Sequence, residues 1–314
     1  VRSALGRQAR DRLVQIAVLD LQLDDAALDL LLFHECGMGR IDPDDRLARL
    51  KSRRALHRFR LNACTAQHIG DRAEQQDRVA IFTGKRLPGA LMAVIADGMG
   101  GRSGGRMASD QVISTAEQLF AEASPHDGTV RQLLETIASE AHTVIRLAAM
   151  AEEKEPHSTL CVLVLFSGRA AWAHAGDTRL YHFRRGTLLA RTADHTYVEQ
   201  LRAEGRLDEL EGAASRYKNI LVSALGINRT PHVEITETDD LQVGDTFLLA
   251  SDGLWAYFVD EELGEVLDRL PPREASNHLM EQARQRARGR GDNLSLALVR
   301  LEEPPARPRV AAPK

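Results

Sequence analysis

Five aspartates stand where apolar strands begin or end, and a carboxylate in such a place can hold a cation. Asp97 closes the run LMAVIA and is followed by Gly98, while Asp252 closes FLLAS and is followed by Gly253. In both, the glycine lacks the Cβ that would keep a ligand off the backbone carbonyl. Asp292, in RGDNLSLALV, stands instead at a strand entrance. If that strand runs antiparallel beside TFLLAS, exit and entrance adjoin and Asp252 meets Asp292. Asp177 lies in the turn of HAGDTRLY, and Asp77 opens the strand RVAIF. A single aspartate of this kind is ordinarily a turn former. Several converging at one edge repel one another, which a fold tolerates when cations sit between them; all-oxygen ligation selects Mg²⁺ or Mn²⁺. Histidines at zinc spacing are missing, HEC at 34–36 being too short and isolated, so zinc is not expected. The glycines of DGMGGRSGG are not a phosphate-cradling P-loop, because no Gly-Lys-Ser/Thr follows. They are expected to bend the chain into a helix beginning near Met107.

The elements that must position these carboxylates follow from periodicity. FRLNACTAQ, RVAIFT and ALMAVIA are strand-like. Two amphipathic helices come next, one with Met107, Val112, Ala116, Leu119 and Phe120, the other with Leu133, Leu134, Ile137, Val144 and Ile145. TLCVLVLF, AAWAHAG and TRLYHF, joined by tight Gly-containing turns, read as an antiparallel meander. HVEITET, TFLLAS, a helix pair over about 260–289 and the strand NLSLALVRL complete the set. The predicted class is α+β: two antiparallel sheets covered by helix pairs. Residues 1–56, with Leu28, Leu31 and Leu32 at helical spacing, read as a helical extension without visible chemistry, and 303–314 as a disordered, Pro-rich tail. His174, His182, Trp172 and Trp255 read as packing residues.

Taken in order, GDRAEQQD, ADGMGG, HAGDTRLY, SDGLW and GDNLSL resemble the PPM family of metal-dependent (type 2C) protein serine/threonine phosphatases, in its bacterial branch. The resemblance covers about residues 58–301 and implies a β-sandwich flanked by helix pairs, with a flap over about 195–230 after the Asp194-His195 pair. It also implies hydrolysis of phosphoserine or phosphothreonine by in-line attack of a hydroxide bridging two Mn²⁺ or Mg²⁺ ions. On that likeness Asp97 bridges the ions, the carbonyl of Gly98 binds the second, Asp252 and Asp292 hold the first, and Asp77 steadies the cluster. Asp177 joins Asp252 in a third, weaker site, and Arg72 grips the phosphate with its planar fork. Gln75 and Gln76 replace an Asn-Glu pair of many relatives, and Met99 stands where animal members have a histidine, so the general acid is unassigned.

With 314 residues, 43% of them hydrophobic, the chain can bury a full core. Its formal charge of -4 offers no basic face, which disfavours nucleic acid as partner. The three scattered cysteines fit a reducing compartment, and no apolar run reaches membrane-spanning length, so a cytoplasmic location is expected. The expected partners are phosphorylated proteins, with a bacterial Ser/Thr kinase or its targets foremost. Two alternatives stay open: a sporulation-type regulatory phosphatase acting on a switch protein, and a non-catalytic, partner-binding pseudophosphatase.

Overall fold

Runs such as LMAVIA and DTFLLA have no polar face, so strands made from them must be covered on both sides. The computed structural model shows how. It describes residues 15–21 and 59–304, apart from 88, 125–128, 153–154, 211–216 and 218. A six-stranded sheet contains β1 (Gln15–Leu21), β2 (Arg60–His68), β9 (Arg179–Arg184), β10 (Thr187–Arg191), β12 (Asp245–Ala250) and β13 (Leu294–Glu302), in the order β1-β2-β13-β12-β9-β10. A five-stranded sheet contains β3 (Arg78–Thr83), β4 (Leu91–Ala96), β7 (Leu160–Phe166), β8 (Arg169–Ala175) and β11 (Glu234–Thr238), in the order β11-β8-β7-β4-β3. Pairing is antiparallel throughout both sheets. Two short strands, β5 (Gly98–Met99) and β6 (His157–Ser158), pair with each other.

Each strand's two faces go to different layers. Leu91, Ala93 and Ile95 of β4 meet Phe247 and Leu249 of β12 between the sheets, together with Leu163, Trp172, Ala297 and Val299. The alternate residues Met92, Val94 and Ala96 pack under α1 (Gly101–Glu122) and α2 (Val130–Glu152). On the far side, Leu248 and Ala250 pack under α5 (Asp260–Arg269) and α6 (Pro272–Ala287). The order of layers is helix pair, sheet, sheet, helix pair, as the sequence pattern implied. Among the described residues there are also the short helical segments α3 (Tyr197–Ala203), a 3₁₀ turn (Leu207–Leu210) and α4 (Asp252–Trp255).

Three local expectations are corrected. First, β7, β8 and β9 are not one meander, because β8 and β9 lie in different sheets. The chain crosses between sheets at Gly176, whose φ of +107° and lack of a Cβ, which would come within 2.6 Å of Thr159, permit the step. Second, α1 starts at Gly101 rather than near Met107. Gly105 belongs to its second turn, and a Cβ there would lie 2.5 Å from the Gly98 carbonyl oxygen, so the glycine is kept for close approach despite its helix cost. Third, residues 15–21 of the expected helical extension form a strand, β1, which pairs with β2 from Gln15↔Gln67 to Leu21↔Leu61. An open sheet edge offers unpaired backbone groups to any extended segment within reach, and that overrides local helical spacing. The remainder of 1–56, and the Pro-rich tail from 305, lie outside the described residues.

The segment read as a flap is tied at its root. Thr196 bridges Leu221, the Val222 N–H donates to the His195 carbonyl at 2.8 Å, and the Thr196 hydroxyl caps α3 by accepting from the Glu199 N–H. Phe247 is fully buried between the sheets, its ring 4.3 Å from that of His182 and 6.3 Å from that of Trp172. Phe247→Ala should therefore cost about 3–5 kcal/mol. A denaturant titration checks this, and a midpoint within error of the parent would contradict the two-sheet core.

Candidate metal centre

Strand register delivers the five aspartates to one rim of the sandwich. Arg78 pairs with Ala96, so Asp77 precedes one strand where Asp97 follows its neighbour. Ala250 pairs with both Leu296 and Arg179, which sets the Asp252, Asp292 and Asp177 ends side by side. Asp77 and Asp177 are buried; Asp97, Asp252 and Asp292 are partly exposed at the opening.

Electrostatics shows that they share one environment. Loss of water, followed by the charges of Asp77, Asp252, Asp177 and Asp292, holds the Asp97 carboxyl well above the usual carboxylate range. Burial pushes Asp77 up to about 7, with Asp252 and Asp292 adding to it and the hydroxyls of Ser251 and Ser295 opposing. Burial and the charges of Asp252 and Asp194 likewise raise Asp177 to about 7, against Arg179. One carboxylate thus feels four others drawn from distant parts of the chain.

The donor set fits hard divalent cations. It is all oxygen, it is too rich in negative charge to be stable alone, and beside Asp97 it adjoins a backbone carbonyl, that of Gly98, against which Gly105 packs without a side chain. Asp97, Asp252, Asp292, Asp77 and Asp177 with the Gly98 oxygen could hold such ions. Arg72 reaches the same rim: its Nη2 donates to Asp292 Oδ2 at 2.5 Å, and its side chain is 60% exposed. All seven residues expected from the sequence therefore come together.

Thr159, Ser251 and Asn293 support the rim and were not singled out beforehand. The Asp97 N–H donates to Thr159 Oγ1 at 2.8 Å and the Thr159 N–H returns to the Asp97 carbonyl at 2.9 Å, which locks the strand exit. Ser251 Oγ donates to Asp77 Oδ2 at 2.7 Å. Buried Asn293 stitches the Arg72 loop to β13: its Nδ2 donates to the carbonyls of Ile69 and Glu74, and its Oδ1 accepts from the Gln76 N–H. The asparagine of GDN was the signal for it. Gly253 must lack a Cβ because one would fall 2.0 Å from the Asn293 carbonyl oxygen. Gln75 and Gln76 also serve the loop, donating to the carbonyls of His68 and Gly101. Trp255 does more than pack: its Nε1 donates to the Asp177 carbonyl at 3.0 Å, and the Arg179 guanidinium lies 3.4 Å over its ring while pairing with both oxygens of Asp194.

Residues 64–296 match the protein phosphatase 2C family. The chain belongs to the protein phosphatase 2C family. It is 28% identical over 234 residues, 74% of its own length and 93% of the other, to a putative protein phosphatase 2C-type protein of Streptococcus pyogenes. It is 32% identical over 215 residues to the serine/threonine protein phosphatase PstP of Mycobacterium tuberculosis, a match spanning 67% of this chain and 40% of PstP. A solved serine/threonine phosphatase of S. agalactiae superposes with a TM-score of 0.69 at 27% identity, covering 77% of this chain and all of that one. The catalytic domain of PstP, solved in complex with 2 manganese ions, superposes with a TM-score of 0.62 at 28% identity, covering 77% of this chain and 98% of that one. The 2C phosphatases are metal-dependent serine/threonine enzymes, and the all-oxygen donors of the acidic rim fit such a metal.

A carboxyl whose folded pKa is raised contributes stability below its unfolded value, about 4, and loses that contribution as pH rises through its folded value. For Asp77 and Asp177 the window runs from about 4 to about 7. In chelator the 2C phosphatase should therefore be less stable at pH 8 than at pH 5, by on the order of a few kcal/mol, and Mn²⁺ should restore stability at pH 8. Asp97→Asn should raise the melting temperature in chelator and abolish the response to Mn²⁺. Melting curves at both pH values check this, and a chelated parent that is more stable at pH 8 would contradict it.

Proposed function

We propose that this 2C phosphatase acts on phosphoserine and phosphothreonine in proteins, with its reaction centred on Asp97 and the four aspartates around it. The single observation that carries the reading is the convergence of these carboxylates on one open rim, which leaves Asp97 repelled by all four neighbours. When bound there, two Mn²⁺ or Mg²⁺ ions would supply a nucleophilic water at neutral pH and screen the charge of the phosphoryl group. In this reading Asp97, Asp252, Asp292 and the Gly98 carbonyl would hold the two ions, and Asp77, held by its bond from Ser251, would steady the cluster. Asp177 with Asp252 would hold a third, weaker-bound ion.

Among the described residues, Arg72 is placed to meet substrate from the protein side. Its planar guanidinium can take two phosphate oxygens in parallel, exchanging its present contact with Asp292 for the incoming anion. The Thr159 and Asn293 networks hold the strand exits and the Arg72 loop, so substrate meets a prearranged anion grip rather than one assembled on binding. The relatives' names as serine/threonine phosphatases support a phosphoprotein substrate, and a bacterial Ser/Thr kinase or its targets would be the natural counterpart. A cytoplasmic site of action is supported by the free, buried thiols of Cys64 and Cys161 and by the fact that no helix among the described residues is long and apolar enough to cross a membrane.

The test is hydrolysis of a phosphothreonine peptide across a Mn²⁺ titration. Turnover should require divalent metal, and Asp97→Asn and Asp292→Asn should remove it. Arg72→Ala should lower kcat/KM by roughly 10- to 100-fold, the equivalent of about 1.5–3 kcal/mol for charge-assisted hydrogen bonds, with Arg72→Lys recovering only part because it lacks the fork. Turnover that survives EDTA, or an Asp97→Asn variant with parental activity, would overturn the proposal.

A further inference from the structure

A second cluster of ligating side chains lies behind the rim, on different residues and with different chemistry. His174 is on β8, Glu234 begins β11 directly opposite it in register, and His195 sits at the root of α3. Ligand atoms of these three all lie within 4.8 Å of one another, and among the described residues they are the one such trio of His, Cys, Asp and Glu side chains. His174 Nε2 is 3.6 Å from Glu234 Oε2, and the rings of His174 and His195 are 4.4 Å apart. His195 is only 8% exposed, and its Nε2 is buried without a hydrogen-bond partner. An orphaned buried imidazole nitrogen calls for an explanation, and a ligand is one. Beside it opens a cavity of about 650 Å³ lined by His195, His232, Glu199, Arg202 and Arg229 among others, giving an entry path and room for a fourth ligand. The ring of His232 lies 4.9 Å from that of His195.

We propose that His174, His195 and Glu234 form a separate binding site for a borderline divalent transition ion, Zn²⁺ in preference to Mg²⁺ or Mn²⁺. Two imidazoles and one carboxylate are a zinc donor set, whereas the aspartate rim offers oxygen alone. Tetrahedral bonds of about 2.0–2.2 Å place ligand atoms about 3.4 Å apart, so the trio need close by only about 1.5 Å. His174 ligates as the tautomer protonated on Nδ1 and gives up its 2.9 Å contact with the Ala193 carbonyl. The 3.4 Å contact from the Gly176 N–H to His195 Nδ1 is too long to fix that ring's tautomer. Burial keeps both imidazoles neutral, the form that binds metal. The bound ion ties the root of the 195–230 segment to two strands of the five-stranded sheet. Because the His195 N–H already donates to the Gly176 carbonyl at 2.9 Å, the tie reaches the turn that carries Asp177.

The experiment is a binding titration of the full chain with Zn²⁺, and in parallel Co²⁺, in saturating Mg²⁺, read by metal content after dialysis and by visible absorption. It needs no turnover, so it stands or falls apart from the phosphatase reading. One Zn²⁺ per chain should be retained, and Co²⁺ should show the strong visible bands of a tetrahedral nitrogen-containing site rather than the weak bands of an octahedral oxygen site. Glu234→Gln, at a side chain 52% exposed and so least able to harm folding, should weaken retention at least tenfold, and His195→Gln should remove it. Asp97→Asn should leave both readings unchanged. The proposal fails if no Zn²⁺ is retained, if Glu234→Gln and the folded His195→Gln protein keep it, or if Asp97→Asn loses it.

Discussion

Repulsion among converging carboxylates is the constraint on which the rest of this structure depends. Asp97 meets the charges of four other aspartates, drawn from both sheets of the sandwich. A domain is stabilised by only about 5–15 kcal/mol, so a cluster that opposes folding at neutral pH is a large fraction of the total. Such a cluster is kept only where something held there offsets it. The remaining architecture can be understood as the means of keeping five acids together against their own electrostatics.

That task explains why the two sheets are apolar on both faces. Met92, Val94 and Ala96 pack under one helix pair, while Leu91, Ala93 and Ile95 pack against the other sheet, so neither face can slip by one residue without turning its whole set the wrong way. Register fixed in this manner carries through to the strand ends, where Ala250 pairs with both Leu296 and Arg179. The glycines near the rim have a matching purpose. Gly98 and Gly105 pack backbone against backbone, and Gly253 rests on the Asn293 carbonyl, so the rim is built from main chain in van der Waals contact and resists being pushed apart by charge.

Much of this was legible in the sequence because strand ends are marked by an abrupt change from apolar residues to Asp-Gly. Asp252 and Asp292 could be paired from antiparallel geometry before any coordinates, Asp97 joined them only through the family resemblance, and the two-sheet, two-helix-pair arrangement followed from periodicity. What was not legible depends on which sheet a strand joins. The turn at Gly176–Asp177 looks like any hairpin turn, yet it crosses between sheets, because the edge offered by β12 lies in the other layer. The start of α1 was misplaced because Gly104 and Gly105 have poor helix propensity, and only the contact of Gly105 with β5 shows why that glycine is kept within it. Strand β1 was hidden for a similar reason: its partner is an edge nearly fifty residues away in sequence, and local spacing carries no information about that edge.

The same argument separates the two kinds of site. The aspartates announce themselves one at a time, each at a strand boundary with a glycine or a turn beside it. His174, His195 and Glu234 do not, because each is locally ordinary: one alternates with alanines on β8, one precedes a short helix, and one opens an edge strand. Zinc motifs are recognised by short spacings along the chain, and a site assembled from β8, β11 and the root of α3 has none. Antiparallel pairing of β8 with β11 and the bonds from His195 to Gly176 and Val222 bring the three together, so their chemistry exists only once the sheet has formed. Sites of that kind belong to the fold rather than to any segment of it, and this explains why a sequence rich enough in motif to reveal its acidic rim gave no hint of a nitrogen-rich cluster on the far side of the Asp177 turn.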